Sequence, residues 1–187
     1  AVVDRATDQE AVLRGGDVAL YAAKNAGRNG LAWFTEVLAD ELSRRVKLEE
    51  DIRRGIGRGE FVPYFQPLID LRTRELSGFE ALAPWKSPTR GVLLPDAFLE
   101  AAETSGLISP LTMSMMEQAH REAQTWPAHL KVAVNISPVQ FRDPTLAEQI
   151  IKLLTMTGFP AGRLELEITE GALLEDPQQV STIIHNL

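Results

Sequence analysis

The sequence predicts an α/β fold, the N-terminal portion of a (β/α)8 TIM-like barrel, and three observations carry that prediction. After about residue 130, short β-branched runs alternate with helical periodicity, the rhythm of parallel strands with helices outside. The polar residues of these runs collect at their C-terminal ends, where barrel proteins keep their sites. The strands readable here do not close a sheet, and an open parallel edge leaves unpaired backbone groups. The expectation is therefore that the 187 residues are a slice of a longer barrel.

Taken in order, residues 8–26 read as helix interrupted at Gly15-Gly16, with Asp17 able to cap a second segment and Gly27 at its C-terminal end. "LAWF" (31–34) reads as a short strand. Residues 35–57 read as a charged helix with Leu38, Leu42, Val46, Leu48, Ile52 and Ile56 at near-helical spacing, broken by Gly55, Gly57 and Gly59. "FVPYFQPLIDL" and "ELSGFEALAPW" read as strands joined by a turn at Arg72-Thr73-Arg74. Helices follow in "PDAFLEAAETSG", which Gly106 ends, and in "SPLTMSMMEQAHREAQTW", with Ser109 as N-cap and Pro110 at N1. "KVAVNIS" is a strand, "PTLAEQIIKLLTMTG" a helix ended by Gly158, and "RLELEITE" a strand. A final helix is capped by Asp176 with Pro177 in its first turn.

Composition narrows the function. Hydrophobic residues at 44% and charged residues at 24% are ordinary globular values, and the net charge of −7 argues against a nucleic-acid polymer as ligand. The absence of cysteine excludes disulfides, thiolate metal sites and a catalytic thiol. No apolar run approaches the ~18 residues of a membrane span, so the reading is a cytosolic segment without membrane contact. The three histidines lack metal spacing, and the glycines at 55, 57 and 59 follow a helix instead of opening one, unlike a phosphate loop.

Alternation within the strands sorts the remaining candidates. In "VAVNIS", Val132, Val134 and Ile136 oppose Ala133 and Asn135. In "LELEITE", Leu164, Leu166 and Ile168 oppose Glu165, Glu167 and Thr169. The aliphatic faces suit a helix layer, leaving Asn135 and Glu167 on the other face near the strand ends, with Glu80 in a comparable place. Singly, Glu80 reads as a salt-bridge partner, Asn135 as a capping residue, and Glu165 and Glu170 as solvent-facing or paired with Arg163. Together, two carboxylates and a carboxamide are hard oxygen donors that suit Mg²⁺ or Mn²⁺.

"FEAL" at 79–82, with "YFQPLIDL" before it and "LLPDAFLEAAETSGLI" after it, resembles the EAL domain of cyclic-di-GMP phosphodiesterases. "VAVNISPVQF" and "LELEITE" continue the match in order and spacing. "ALYAAKNAGRNG" is similar to the C-terminal end of a GGDEF (diguanylate cyclase-like) domain. The resemblance implies residues 1–34 as a GGDEF tail, 35–59 as a connector helix and 60–187 as the N-terminal part of the EAL domain. It implies a modified barrel whose first strand is antiparallel, and Mg²⁺- or Mn²⁺-dependent hydrolysis of cyclic di-GMP to linear pGpG. It assigns Glu80, Asn135 and Glu167 as metal ligands, Glu80 and Glu170 to the catalytic group (Glu170 steadying a neighbouring loop), and Gln66 and Leu82 to the nucleotide site.

Two departures accompany it. Pro84 stands where the family carries an arginine that reaches a substrate phosphate, and the loss of such a contact costs about 1.5–3 kcal/mol. The family's Asp-Asp pair, lysine and later glutamate have no counterpart before residue 187, so the stretch is expected to be catalytically incomplete. Two alternatives stand beside the enzymatic reading: an EAL module that binds cyclic di-GMP or a partner without turnover, and a homodimer that pairs the open sheet edges.

Overall fold

The computed structural model describes Leu13, residues 15–20, Ala23, residues 31–168 and residues 176–187. It divides into two units, residues 1–50 and 51–187.

In the first unit, residues 15–20 are helical, so Gly15 and Gly16 lie within a helix and not at a break. A Cβ on Gly15 would stand 3.1 Å from the ring of Phe34, so close packing is one reason for glycine there. The predicted strand at 31–34 is not formed; these residues have no regular structure. They lead to Thr35, whose Oγ1 accepts a hydrogen bond from the Leu38 amide at 3.1 Å and so caps α1 (Glu36–Arg58). Gly27 lies outside the described residues.

α1 runs through Gly55 and Gly57 and ends at Gly59, with φ of 67°. In the second unit its last turns meet an aromatic cluster. Phe61 stacks on Trp85 (5.1 Å between centroids), and Phe98 meets both rings edge-on. The Trp85 indole N–H donates to Glu60 Oε2 at 2.9 Å, which satisfies a donor that would otherwise be buried unpaired. A Cβ at Gly55 would lie 2.9 Å from that indole nitrogen. Gly55 therefore serves as a contact surface for the cluster, which is why the helix passes through it.

The main sheet has the order β1 (Tyr64–Ile69), β2 (Leu76–Leu82), β5 (Lys131–Ile136), β6 (Leu164–Ile168). β1 is antiparallel to β2, while β2–β5 and β5–β6 are parallel, as expected. Asp70 Oδ1 accepts from the amides of Arg72 and Thr73, both at 2.8 Å, and turns the chain from β1 into β2. The next feature is absent from the sequence reading: a short hairpin, β3 (Trp85–Ser87) and β4 (Gly91–Leu93), placed directly after β2. Arg90 in its turn donates to Asp51 Oδ2 through Nη2 (2.8 Å) and Nε (3.1 Å), tying the hairpin to α1.

α2 (Leu99–Thr104) and α3 (Ile108–Ala123) make the first crossover, α4 (Leu146–Thr157) makes the second, and α5 (Pro177–Asn186) follows β6. α3 begins before the predicted cap, so Ser109 and Pro110 fall inside its first turn. α4 ends on Gly158, whose φ of 66° favours glycine. Asp176 caps α5 by accepting from the Gln179 amide at 3.0 Å.

The core lies between the sheet and these helices. It joins Val132, Val134 and Ile136 of β5 to Met116, Ala119 and Ala123 of α3, Ile150 and Leu153 of α4, and Val180 and Ile183 of α5. Phe65, Phe79 and Trp126 extend it over β1 and β2, with centroid distances of 4.9 Å and 4.7 Å to the indole. One sheet face is thus apolar and covered by helices, as the alternation predicts. Among the described residues, no helix is long and apolar enough to cross a membrane.

Candidate functional site

The opposite sheet face is polar, and strand register determines its layout. Gln66 pairs with Glu80, Glu80 with Ala133, and Ala133 with Glu165, forming one row across four strands. One step toward the strand ends, Tyr64 pairs with Leu82, and Asn135 pairs with Glu167. Side chains two apart share a face, so Tyr64, Gln66, Glu80, Leu82, Asn135 and Glu167 occupy a common surface. Glu80, Asn135 and Glu167 sit in the C-terminal halves of the three parallel strands.

Glu80 meets an amide. Asn135 Nδ2 donates to Glu80 Oε1 at 2.6 Å, which leaves the carbonyl half of the carboxamide to face another group. Glu167's carboxyl is held above the usual carboxylate range, first by burial and then by the negative charges of Glu80 and Glu165. Glu165 itself is bridged by Lys131 Nζ at 2.5 Å. Its partner is therefore this lysine and not Arg163, whose guanidinium donates to the carbonyls of Leu130 and Ala123.

Among the described residues, no three His, Cys, Asp or Glu side chains converge as a metal cluster. The donor set is two carboxylates and one carboxamide, all hard oxygens of the type Mg²⁺ and Mn²⁺ take. The repulsion between Glu80 and Glu167 is the kind of interaction a divalent cation relieves. Glu170 lies outside the described residues.

Beside this polar group lies a pocket of about 300 Å³ that the sequence reading missed. Leu82, Asn135 and Ser137 line it, and Phe98, Leu111 and Met115 are among its apolar walls. Ser137 Oγ donates to Glu103 Oε1 at 2.6 Å, joining the end of β5 to α2. Gln140 Oε1 accepts from the Ser137 amide and from Thr112 Oγ1, both at 3.1 Å, and so links the same segment to α3. The walls come from residues 81 to 138, so no local sequence pattern announces the pocket.

The family model of the EAL domain matches residues 49–187. This chain belongs to the EAL family. It is 41% identical over 170 residues to an uncharacterized signaling protein of Caulobacter vibrioides, covering 91% of this chain and 21% of that protein. It is 32% identical over 184 residues to the cyclic di-GMP phosphodiesterase PdeR of Escherichia coli, covering 97% of this chain and 28% of PdeR. The EAL fold is also shared with the PaMucR phosphodiesterase in its c-di-GMP complex. That likeness has a TM-score of 0.68 and 27% identity, and covers 75% of this chain and 60% of the other. The chain thus spans about a fifth to just over a quarter of the length of these two curated relatives.

Proposed function

We propose that this chain is part of a cyclic-di-GMP signalling protein whose complete EAL domain hydrolyses one phosphodiester of cyclic di-GMP to linear pGpG. The observation that carries the reading is the convergence of Glu80, Asn135 and Glu167 on the polar sheet face beside a ligand-sized pocket. The names of PdeR and PaMucR support it.

In this reading Glu80, Asn135 and Glu167 would hold Mg²⁺ or Mn²⁺, which would supply Lewis-acid activation of a phosphoryl oxygen and of water. Asn135 orients Glu80 through its amide hydrogen. Gln66, opposite Glu80, and Leu82, in the pocket lining, contact the nucleotide, with the apolar walls taking a flat base out of water. Glu170 steadies a neighbouring active-site loop. Residues 1–34 are the tail of a GGDEF domain and 35–59 the connector. Residues 60–187 are the N-terminal part of a modified barrel completed by further strands, in a cytoplasmic protein. The 187 residues hold one part of the catalytic group and bind the ligand without turning it over.

The test uses the full-length parent and this chain side by side. The parent should release linear pGpG with Mn²⁺ and bind cyclic di-GMP without turnover when Ca²⁺ replaces it. Binding with no release under either metal would favour a receptor module. Failure of both proteins to bind would overturn the proposal.

A further inference from the structure

The polar sheet face holds three carboxylates, Glu80, Glu165 and Glu167, and any phosphodiester ligand adds more negative charge. Two lysines stand on or against this face. Lys131 is committed to Glu165 at 2.5 Å. Lys86 has no carboxylate partner among the described residues; its ammonium instead lies 5.3 Å from the centroid of the Tyr64 ring.

That placement is built by the fold. Lys86 is the middle residue of β3, between buried Trp85 and Ser87, so its side chain leaves on the exposed side. Its backbone is anchored by the Lys86 amide donating to the Glu60 carbonyl at 2.8 Å. Tyr64 is the register partner of Leu82, in the strand position next to the Gln66–Glu80 pair. The aromatic ring therefore parks an ammonium at the rim of the polar face. Between Leu82 and Trp85 the chain offers only Ala83 and Pro84, which carry no charge.

Resting on the proposed cyclic-di-GMP site, the geometry points to Lys86 as the residue that contacts a ligand phosphate, with Tyr64 as the positioning residue that holds its ammonium at the rim. A charge-assisted contact of this kind is partly screened by salt. Arginine has the reach and charge to replace lysine, whereas methionine keeps the stem and removes the charge.

The experiment is calorimetric titration of the 187-residue chain with cyclic di-GMP in Ca²⁺, at low and high salt, for wild type, Lys86→Met, Lys86→Arg and Tyr64→Phe. Lys86→Met should weaken binding about tenfold at low salt and flatten its salt dependence. Lys86→Arg and Tyr64→Phe, which keep charge and ring, should stay within about threefold of wild type. Wild-type binding with an unchanged affinity and salt dependence in Lys86→Met would overturn the assignment while leaving the proposed function standing. Absence of wild-type binding would overturn the assignment, and if the full-length parent also failed to bind it would overturn the proposed function as well.

Discussion

His120 is the residue whose chemistry ties the stability of this domain to pH. Its side chain is 0% exposed, and its ring stacks on Phe159 at 4.4 Å with 7° between planes. Nδ1 lies 3.2 Å from Thr157 Oγ1. That hydroxyl donates to the Leu153 carbonyl at 2.9 Å, so its remaining role is to accept, and the proton sits on Nδ1. Nε2 has no partner. Protonation would place a charged N–H where nothing accepts it, while the charged group resting on Phe159 is already a cation, Arg163, at 5.0 Å. Burial accordingly pulls the imidazole pKa down from 6.5 to about 4. In that window the unfolded chain binds the proton that the folded chain refuses. The stabilisation is therefore complete above pH 6.5 and lost as pH falls toward 4, a difference of roughly 3 kcal/mol between pH 7 and pH 4. Urea unfolding of wild type and His120→Gln across this range isolates the effect, because carboxylate contributions are common to both proteins and cancel. Wild type should lose roughly 3 kcal/mol more than the variant, and the His120 ring resonance should titrate near pH 4. Equal losses, or a midpoint near 6.5, would refute the reasoning.

The sheet and the site supply two further tests. A Cβ at Gly78 would collide with the Lys131 carbonyl oxygen and lie 2.9 Å from its carbon. Gly78→Ala should therefore force β2 and β5 apart and cost about 2–3 kcal/mol in urea unfolding, whereas Gly162→Ala, with open space around it, should stay within about 0.5 kcal/mol. Asn135→Leu removes both the hydrogen bond to Glu80 and an oxygen donor. It should weaken Mn²⁺ binding, followed by the free-ion electron paramagnetic resonance signal, by about tenfold or more. Unchanged Mn²⁺ affinity would remove Asn135 from the proposed metal group.

Strand alternation made the most consequential part of this molecule legible. Valines and isoleucines at every second position placed the helices on one face, and that left Asn135 and Glu167 on the other without any knowledge of register. Where the sequence reading failed, a nonlocal contact outweighed a local preference. Ser109 has good capping chemistry, yet Leu107 and Ile108 are buried at 5% and 6% exposure, and the helix starts early enough to use them. Gly55 has a poor local propensity for a helix interior, yet the indole of Trp85 needs the space a side chain would fill. The site divides along the same line. Its acidic members belong to regular strands and could be read from their period. The pocket and the Asn135–Glu80 bond exist only once β2 and β5 lie side by side, and the Lys86–Tyr64 contact only once β3 meets β1. Lys86 belongs to no motif and its place beside Tyr64 comes only from the fold, so mutational work guided by motif alone would pass over it.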